Sequence, residues 1–136
     1  MRQGVMRSEG RVDWLLPRPS PEPTVVELEP RRRDRAAWYL LRFVALARGV
    51  STRQLLSPSR GEADVALARQ LAMYLMHVVL GRLYLEVGRF YGRDRTTVSY
   101  ACALIEDMRD DPEFDAEVSR LERRLTMRRE VRNARA

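Results

Sequence analysis

The segment from Val87 to Val98 constrains the fold most strongly, because two helical patterns meet there across a single turn. It reads Val-Gly-Arg-Phe-Tyr-Gly-Arg-Asp-Arg-Thr-Thr-Val. Gly92 can make the turn without a steric penalty, and Asp94 can cap the second helix by accepting hydrogen bonds from its first amides. Beyond Val98, apolar residues recur at three- and four-residue steps, which predicts a buried helical face made of Ala101, Cys102, Ile105 and Met108. The segment therefore predicts a helix-turn-helix.

The opposite face of the second helix is the predicted reading face. A helix in the major groove of DNA reads bases mainly with its N-terminal residues, and this helix begins with Arg95, Thr96 and Thr97. These three residues are the candidate DNA contacts. Ser99 and Tyr100 lie at a suitable angle on the same helix, where a DNA contact and an ordinary surface position are equally consistent with the pattern.

Helical periodicity extends over most of the chain after the first thirty residues. Asp34 is a candidate N-cap for a helix that ends at Gly49. Ser51 or Thr52 can cap a short helix that ends at Leu56, and a loop with turn-forming residues follows.

One further helix is predicted before the motif and one after it. Asp64 is predicted to cap a long helix through Leu80, whose apolar residues cover most of its circumference, as is typical of the centre of a bundle. A helix from Leu83 to Tyr91, with Leu83 facing inward, leads into the turn, and a last helix begins at Glu113. The sequence shows no strand-like alternation, so we predict an all-α fold, a compact bundle of about six helices.

Three regions are expected along the chain. Residues 1–30 contain five of the seven prolines and are predicted to be a disordered arm. Within it, the apolar segment from Val12 to Leu16 either folds back or docks on a protein partner. Residues 31–126 form the predicted helix-turn-helix domain, and residues 127–136 are a basic C-terminal extension.

The charge of the chain favours a polyanionic partner. The formal net charge is +6, and residues 31–136 carry 21 arginines against 14 acidic residues, a net charge of +7. Nucleic acid and an acidic membrane surface both fit this charge. All 25 basic residues are arginine, which a GC-rich coding bias also produces, so the charge alone does not choose between them.

Several classes of protein are disfavoured by what the sequence lacks. Cys102 is the only cysteine and His77 the only histidine, so neither a disulfide nor a cysteine-based zinc site is expected. No nucleophile has a recognisable base, and the longest apolar run is about half of what a membrane span needs. We therefore expect a cytoplasmic, nucleoid-associated protein that is not an enzyme and has no metal or cofactor.

From Asp34 to Leu125 the chain resembles the C-terminal DNA-binding domain of the bacterial replication initiator DnaA. Three segments carry the resemblance in the same order: Ser51 to Ser57, Ala68 to Met73, and Val87 to Val98. In that family the domain is helical, binds a short AT-rich duplex and follows an ATPase domain. No Walker-type phosphate loop is present here and the chain is too short for that domain, so we expect a stand-alone DnaA-like protein.

The resemblance assigns candidate DNA-binding residues. The family's usual Asp-His-Thr-Thr corresponds to Asp94, Arg95, Thr96 and Thr97. Because arginine can grip guanine with two hydrogen bonds, the substitution at Arg95 is expected to shift the preferred site.

The resemblance also implies contacts outside the second helix of the motif. Arg60 lies in the loop that reaches the minor groove in relatives, although acidic residues follow it here. Arg69 matches an arginine on the long helix where a phosphate or groove contact is expected. We interpret Arg69 and Arg93 as phosphate clamps, because backbone contacts make up at least half of protein–DNA hydrogen bonds.

These observations lead to one main functional hypothesis and one alternative. The main hypothesis is sequence-specific binding of double-stranded DNA, with regulation of transcription or of replication initiation by occupancy of sites. The alternative is a helical protein-interaction adaptor that has lost specific DNA binding and uses the Trp14-Leu15-Leu16 segment or an apolar groove.

Overall fold

The computed structural model describes residues 34–135, which form helices joined by short loops, with no strand in that range. The all-α prediction is therefore confirmed for this part of the chain. The predictions for residues 1–30, including the docking segment at Val12 to Leu16, lie outside the described residues. The helices in order are α1 (Arg35–Arg48), α2 (Thr52–Leu56), α3 (Ala63–Val78), α4 (Tyr84–Tyr91), α5 (Arg95–Met108) and α6 (Pro112–Arg135).

Helix α1 begins at the predicted cap. The Asp34 side chain accepts a hydrogen bond from the Ala37 amide at 3.1 Å, and Gly49 ends the helix in the left-handed conformation with φ of 69°. The Asp34 carboxylate also accepts two hydrogen bonds from the Arg82 guanidinium, at 2.7 and 2.8 Å. These bonds hold the pKa of Asp34 below its ordinary value. The start of α1 is thereby tied to the segment that follows α3.

Helix α3 lies at the centre of the bundle, as its all-round apolar pattern predicted. It packs on α1, α2, α4 and α5, and Leu71, Leu75 and Met76 are fully buried. The predicted N-cap is wrong: the helix begins at Ala63 and Asp64 lies in its first turn. Glu62 occupies the N-cap position without a side-chain cap hydrogen bond, directly after Gly61, which has φ of 74°.

The junction between α4 and α5 has helix-turn-helix geometry. Gly92 has φ of 70°, and the Arg93 amide donates to the Gly88 carbonyl at 2.8 Å. Leu83 was predicted to face inward, but its side chain is 65% exposed. It occupies the N-cap position of α4, where its amide donates to the Glu86 side chain at 2.8 Å, so it does not share the buried face of the helix.

Helix α6 begins one residue before the predicted start at Glu113. Its first turn is capped by Asp111, which accepts from the Phe114 amide at 3.0 Å. It runs without interruption to Arg135, so the expected boundary at residue 126 falls inside a helix. The inward residues Val118, Leu121 and Leu125 are buried, whereas every side chain from 126 to 135 is exposed. The last ten described residues are therefore helical with little packing.

A substitution at Gly88 tests the close approach of α4 to the turn that precedes α5. A Cβ at this buried position would collide with the Arg93 backbone carbonyl, at the point where the chain turns into α5. In an open helix, replacing glycine by alanine stabilises by about 1 kcal/mol. We expect the opposite sign for Gly88→Ala: a loss of about 1–3 kcal/mol in the free energy of unfolding, measured by urea denaturation.

Gly92→Ala is the matched control for Gly88→Ala. Its added Cβ meets no atom within 4 Å, so only the positive φ opposes it, at a cost of roughly 1–2 kcal/mol. If Gly88→Ala were neutral or stabilising while Gly92→Ala destabilised, the close approach of α4 to the turn would be incorrect.

Candidate nucleic-acid interface

One face of α5 is open along its first two turns. Arg95, Thr96, Ser99 and Tyr100 are all exposed there, Tyr100 to 73%. The opposite face of the helix is buried in the core through Val98, Ala101, Cys102 and Ile105. The predicted division of this helix into an outward and an inward face is confirmed. Ala103 lies on the outward face, where its small side chain leaves room for close approach of another molecule.

The start of α5 is fixed by its cap. The Asp94 side chain accepts hydrogen bonds from the Thr97 amide at 2.9 Å and from the Thr97 hydroxyl at 3.1 Å. These hydrogen bonds lower the pKa of Asp94, so the carboxylate is charged at neutral pH. Asp94 and Thr97 thus orient the first turn, and Arg95 and Thr96 project from it without intramolecular side-chain hydrogen bonds among the described residues.

The charge along the exposed face of α5 changes sign. Its first turn contains no acidic residue, whereas Glu106 and Asp107 are exposed further along the helix. Phosphate groups are attracted to the Arg95 end and repelled from the other end. The charge of this face therefore favours contact between DNA and its first two turns, which is the part of a recognition helix that contacts base edges.

The Arg69 side chain is directed into the protein. The side chain is buried, with 4% of its surface exposed, and is the only buried charged side chain among residues 34–135. Its guanidinium donates to three backbone carbonyls, those of Leu55 at 2.8 Å, Gln54 at 2.9 Å and Arg60 at 3.1 Å. Burial, followed by the positive charge of Arg93, lowers its pKa. Arg69 therefore joins α3 to the end of α2 and to the following loop, and its contact with phosphate stays a prediction.

Arg93 makes a related set of contacts. It is half-buried, and its guanidinium donates to the carbonyls of Ser57 at 3.1 Å and Tyr91 at 3.4 Å, with longer contacts to Pro58 and Ser59. Burial lowers its pKa. We call residues 57–61 the arginine-braced loop, because Arg69 and Arg93 both donate to its carbonyls. Part of the Arg93 donor capacity is therefore occupied within the protein.

The arginine-braced loop, called the braced loop from here on, contains Arg60 and lies at the same end of the molecule as the start of α5. Arg60 is exposed, and only its backbone carbonyl is held, by Arg69. Because Arg93 immediately precedes Asp94, its hydrogen bond to Ser57 places the loop beside the first turn of α5. The structure thus brings together Arg60, Arg95, Thr96, Ser99 and Tyr100 as exposed groups, with Asp94 and Thr97 between them.

Sequence reasoning missed the bracing role, although a signal for the burial of Arg69 was present. The residues three and four positions away on α3 are Val65, Ala66, Ala72 and Met73, all of which are buried. A side chain with apolar neighbours at all four positions lies on a buried face. The sequence could not predict which backbone carbonyls would accept hydrogen bonds from the Arg69 guanidinium, because these carbonyls belong to residues 9 to 15 positions earlier.

Other polar and reactive groups within residues 34–135 point to no second chemistry. The His77 imidazole lies within 2.8 Å of the Arg82 carbonyl and packs against the Tyr84 ring at 4.4 Å, which fits a structural histidine. Burial raises the pKa of the Cys102 thiol to about 11. In this part of the chain no group of three or more His, Cys, Asp or Glu side chains could hold a metal ion, and no helix could span a membrane.

A short helix, a glycine turn and a capped amphipathic helix with an exposed arginine at its start define a helix-turn-helix domain of the DNA-binding class. Residues 39–105 match the family model described as "Bacterial dnaA protein helix-turn-helix". Over these residues the chain belongs to the DnaA helix-turn-helix family, as the sequence resemblance predicted.

Relatives with this domain are chromosomal replication initiator proteins DnaA. The protein of Deinococcus radiodurans is 38% identical over 87 residues, 63% of this chain and 18% of that protein. The protein of Chloroflexus aggregans is 34% identical over 101 residues, 73% of this chain and 21% of that protein. This chain therefore spans only about a fifth of the length of these relatives.

A solved structure supports the same assignment. It is described as replication initiator DnaA bound to AMPPCP and single-stranded DNA. The two structures superpose with a TM-score of 0.63 and 28% sequence identity, over 73% of this chain and 31% of the other. The similarity thus extends over most of the described residues and covers a minor part of the larger protein.

The bracing role of Arg69 can be tested by Arg69→Lys. A lysine keeps the positive charge but cannot reach three carbonyls with a planar fork of donors, so buried acceptors lose their partners. We expect the free energy of unfolding to fall by about 2–3 kcal/mol in urea denaturation. Arg53→Lys, at an exposed position on α2, is the control and should change stability by less than about 0.5 kcal/mol. Equal stability of the two variants would contradict the bracing role.

Proposed function

We propose that this chain binds double-stranded DNA sequence-specifically, with α5 in the major groove. The observation that carries the proposal is the exposed, acid-free first turn of α5, held by the Asp94 cap and backed by a buried apolar face. Family membership supports DNA binding by this domain. The exposed arginine and hydroxyl groups of that turn are the side-chain types that recognise base edges and phosphates.

The residues of the interface divide into contacting and orienting groups. Arg95 is the proposed base reader, because its guanidinium is exposed and can bond guanine O6 and N7 together. Thr96, Ser99 and Tyr100 flank it on the same face. Asp94 and Thr97 orient the turn through their mutual hydrogen bonds, and the second Asp94 oxygen can accept from a cytosine amino group.

The braced loop supplies the second part of the proposed interface. Arg60 extends from it and contacts the DNA backbone or the minor groove beside the site read by α5. Arg93 and Arg69 hold this loop, so their effect on DNA binding passes mainly through the position of Arg60. This assignment replaces the simpler hypothesis that both arginines clamp phosphates.

Occupancy of DNA is the proposed mode of action. The relatives are named as chromosomal replication initiators, which favours a role at replication initiation sites. Regulation of transcription by the same binding is the second use. No catalytic group is recognised among the described residues. We therefore propose that the bound protein affects either process by making the DNA inaccessible to other proteins or by marking it for them.

Selection of bound sequences from a random duplex pool tests the proposal. We expect wild-type protein to enrich one motif and Arg95→Ala to lose discrimination at one or two positions, each worth about 1–3 kcal/mol. Because Arg95 is exposed, thermal unfolding should be unchanged. Arg89→Ala, which alters an exposed arginine outside the first turn of α5, is the control and should enrich the same motif as wild type.

The outcome also separates the proposal from its alternative. If neither wild type nor Arg95→Ala enriches a motif, and both bind duplexes equally, sequence-specific reading by α5 is excluded. An interaction adaptor would then be the better description of the chain.

Salt titration tests the division between Arg60 and Arg69. Arg60→Gln should weaken binding to all sequences and reduce the steepness of the plot of log affinity against log salt by about 0.9, the value for one phosphate contact. Arg69→Gln, added to Arg60→Gln and studied at a temperature where the double variant is folded, should reduce that slope no further, because Arg69 acts through the loop that carries Arg60. A reduced slope in Arg69→Gln with an unchanged slope in Arg60→Gln would restore the phosphate-clamp interpretation.

A further inference from the structure

The exposed surface of α6 carries a row of arginines that pair with no acidic side chain within residues 34–135. Arg120, Arg124, Arg128, Arg132 and Arg135 follow one another at steps of four, four, four and three residues, and all are exposed. At 100° per residue these steps keep them on one face of the helix, over about 22 Å of its length. We call this row the arginine stripe. Among residues 34–135, none of its members is in an ion pair.

The acidic residues between Arg120 and Arg135 lie off the stripe, whereas Glu117, one turn before Arg120, shares its face and pairs with Arg48 at 2.6 Å. Glu122 faces the body of the domain, where it accepts from Arg109 at 3.0 Å, and Glu130 lies on another side of the helix. Arg128 packs over the Tyr39 ring at 3.6 Å, which fixes the orientation of the stripe relative to α1. The stripe is therefore a continuous positive surface on a helix whose direction is set by packing.

The stripe opposes the stability of its own helix. Like charges four residues apart destabilise an isolated helix by about 0.2–0.5 kcal/mol per pair. Interaction with the helix dipole favours arginine only in the last turn, so it accounts for Arg132 and Arg135 and not for Arg120 or Arg124. Since the side chains from 126 to 135 are also all exposed, the arrangement is best explained by a partner that neutralises it.

The C-terminal part of the stripe lies at the opposite end of the domain from the DNA-reading end. Arg129 donates to the Val79 carbonyl at 2.7 Å, which places this part of α6 beside the end of α3. The braced loop and the start of α5 lie at the beginning of α3, and the sixteen residues of α3 span about 24 Å. A short duplex seated on α5 is thus separated from Arg128, Arg132 and Arg135 by the length of the central helix.

We propose that the arginine stripe is a second, sequence-independent binding surface for the phosphate backbone of double-stranded DNA, so that one molecule holds two duplex segments. The stripe matches a backbone in charge and in length, because 22 Å corresponds to about six base pairs. A membrane surface is the less favoured partner, since Met127 and Val131 are the only large apolar side chains exposed between 126 and 135. The proposal goes beyond site recognition by α5 and does not require it.

A two-layer capture experiment with the full chain tests the proposal. A 20-base-pair duplex is fixed to a sensor surface and saturated with protein, and a second, unrelated duplex is then passed over it. Wild type should retain the second duplex. The triple variant Arg124→Gln/Arg132→Gln/Arg135→Gln should bind the first duplex within twofold of wild type but lose at least about tenfold in second-layer capture, because three phosphate contacts are removed.

The matched control keeps the charge. Arg124→Lys/Arg132→Lys/Arg135→Lys should capture the second duplex within about threefold of wild type, since backbone neutralisation needs a cation and not a guanidinium. Equal capture by the glutamine variant and wild type, or no second layer with wild type, would overturn the proposal. So would sedimentation analysis showing that wild type is a dimer and the glutamine variant a monomer, because a dimer captures two duplexes with two copies of α5.

A further variant distinguishes failure of the stripe proposal from failure of sequence recognition by α5. In an Arg95→Ala/Thr96→Ala background, protein tethered by its N-terminus should still bind unrelated duplex, and the three glutamines should abolish that binding. If the glutamines instead abolish binding only to phosphatidylglycerol vesicles, the stripe belongs to an anionic membrane and the DNA proposal is wrong.

Discussion

The buried guanidinium of Arg69 is the interaction on which the DNA-facing end of this domain depends. It joins the end of α2, the braced loop and α3 through three carbonyls at 2.8 to 3.1 Å. Carbonyls at the end of a short helix and in a loop need donors, and an arginine reaches several of them at once where a water or a hydroxyl reaches fewer. Burial of that charge without a carboxylate partner is tolerated because every contact is to a carbonyl dipole.

Arg93 extends the same arrangement to the recognition helix. Its hydrogen bond to Ser57 connects the residue before the Asp94 cap with the loop that Arg69 holds from the other side. The close approach at Gly88 fixes where α4 ends relative to that residue. The loop, the turn and the first turn of α5 therefore form one unit, and a displacement at any of the three positions moves Arg60 relative to Arg95.

Much of this fold could be predicted from the sequence because its signals are local. Helical periodicity, the Asp34, Ser51 and Asp94 caps and the turn at Gly92 each depend on residues within a few positions. The errors arose where a distant contact or a neighbouring turn decided the outcome. Glu62 and not Asp64 holds the cap position of α3, and the carbonyls that accept from Arg69 belong to residues 9 to 15 positions away. The exposed face of α5 and the loop after α2 were predictable, whereas the arginine contacts that hold this loop beside α5 were not.

The distribution of arginine follows from this division between buried and exposed roles. Arg69, Arg82, Arg93 and Arg109 each donate several hydrogen bonds within the protein, a role that the planar guanidinium fills better than an ammonium group. Their charge is therefore largely unavailable to a partner. Among the exposed arginines, Arg60 and Arg95 lie at one end of α3, and the C-terminal part of the stripe on α6 lies at the other. The central helix holds these two groups of arginines apart. The net charge of the whole chain therefore does not give the local charge of either group, and each group is a separate surface with its own partner.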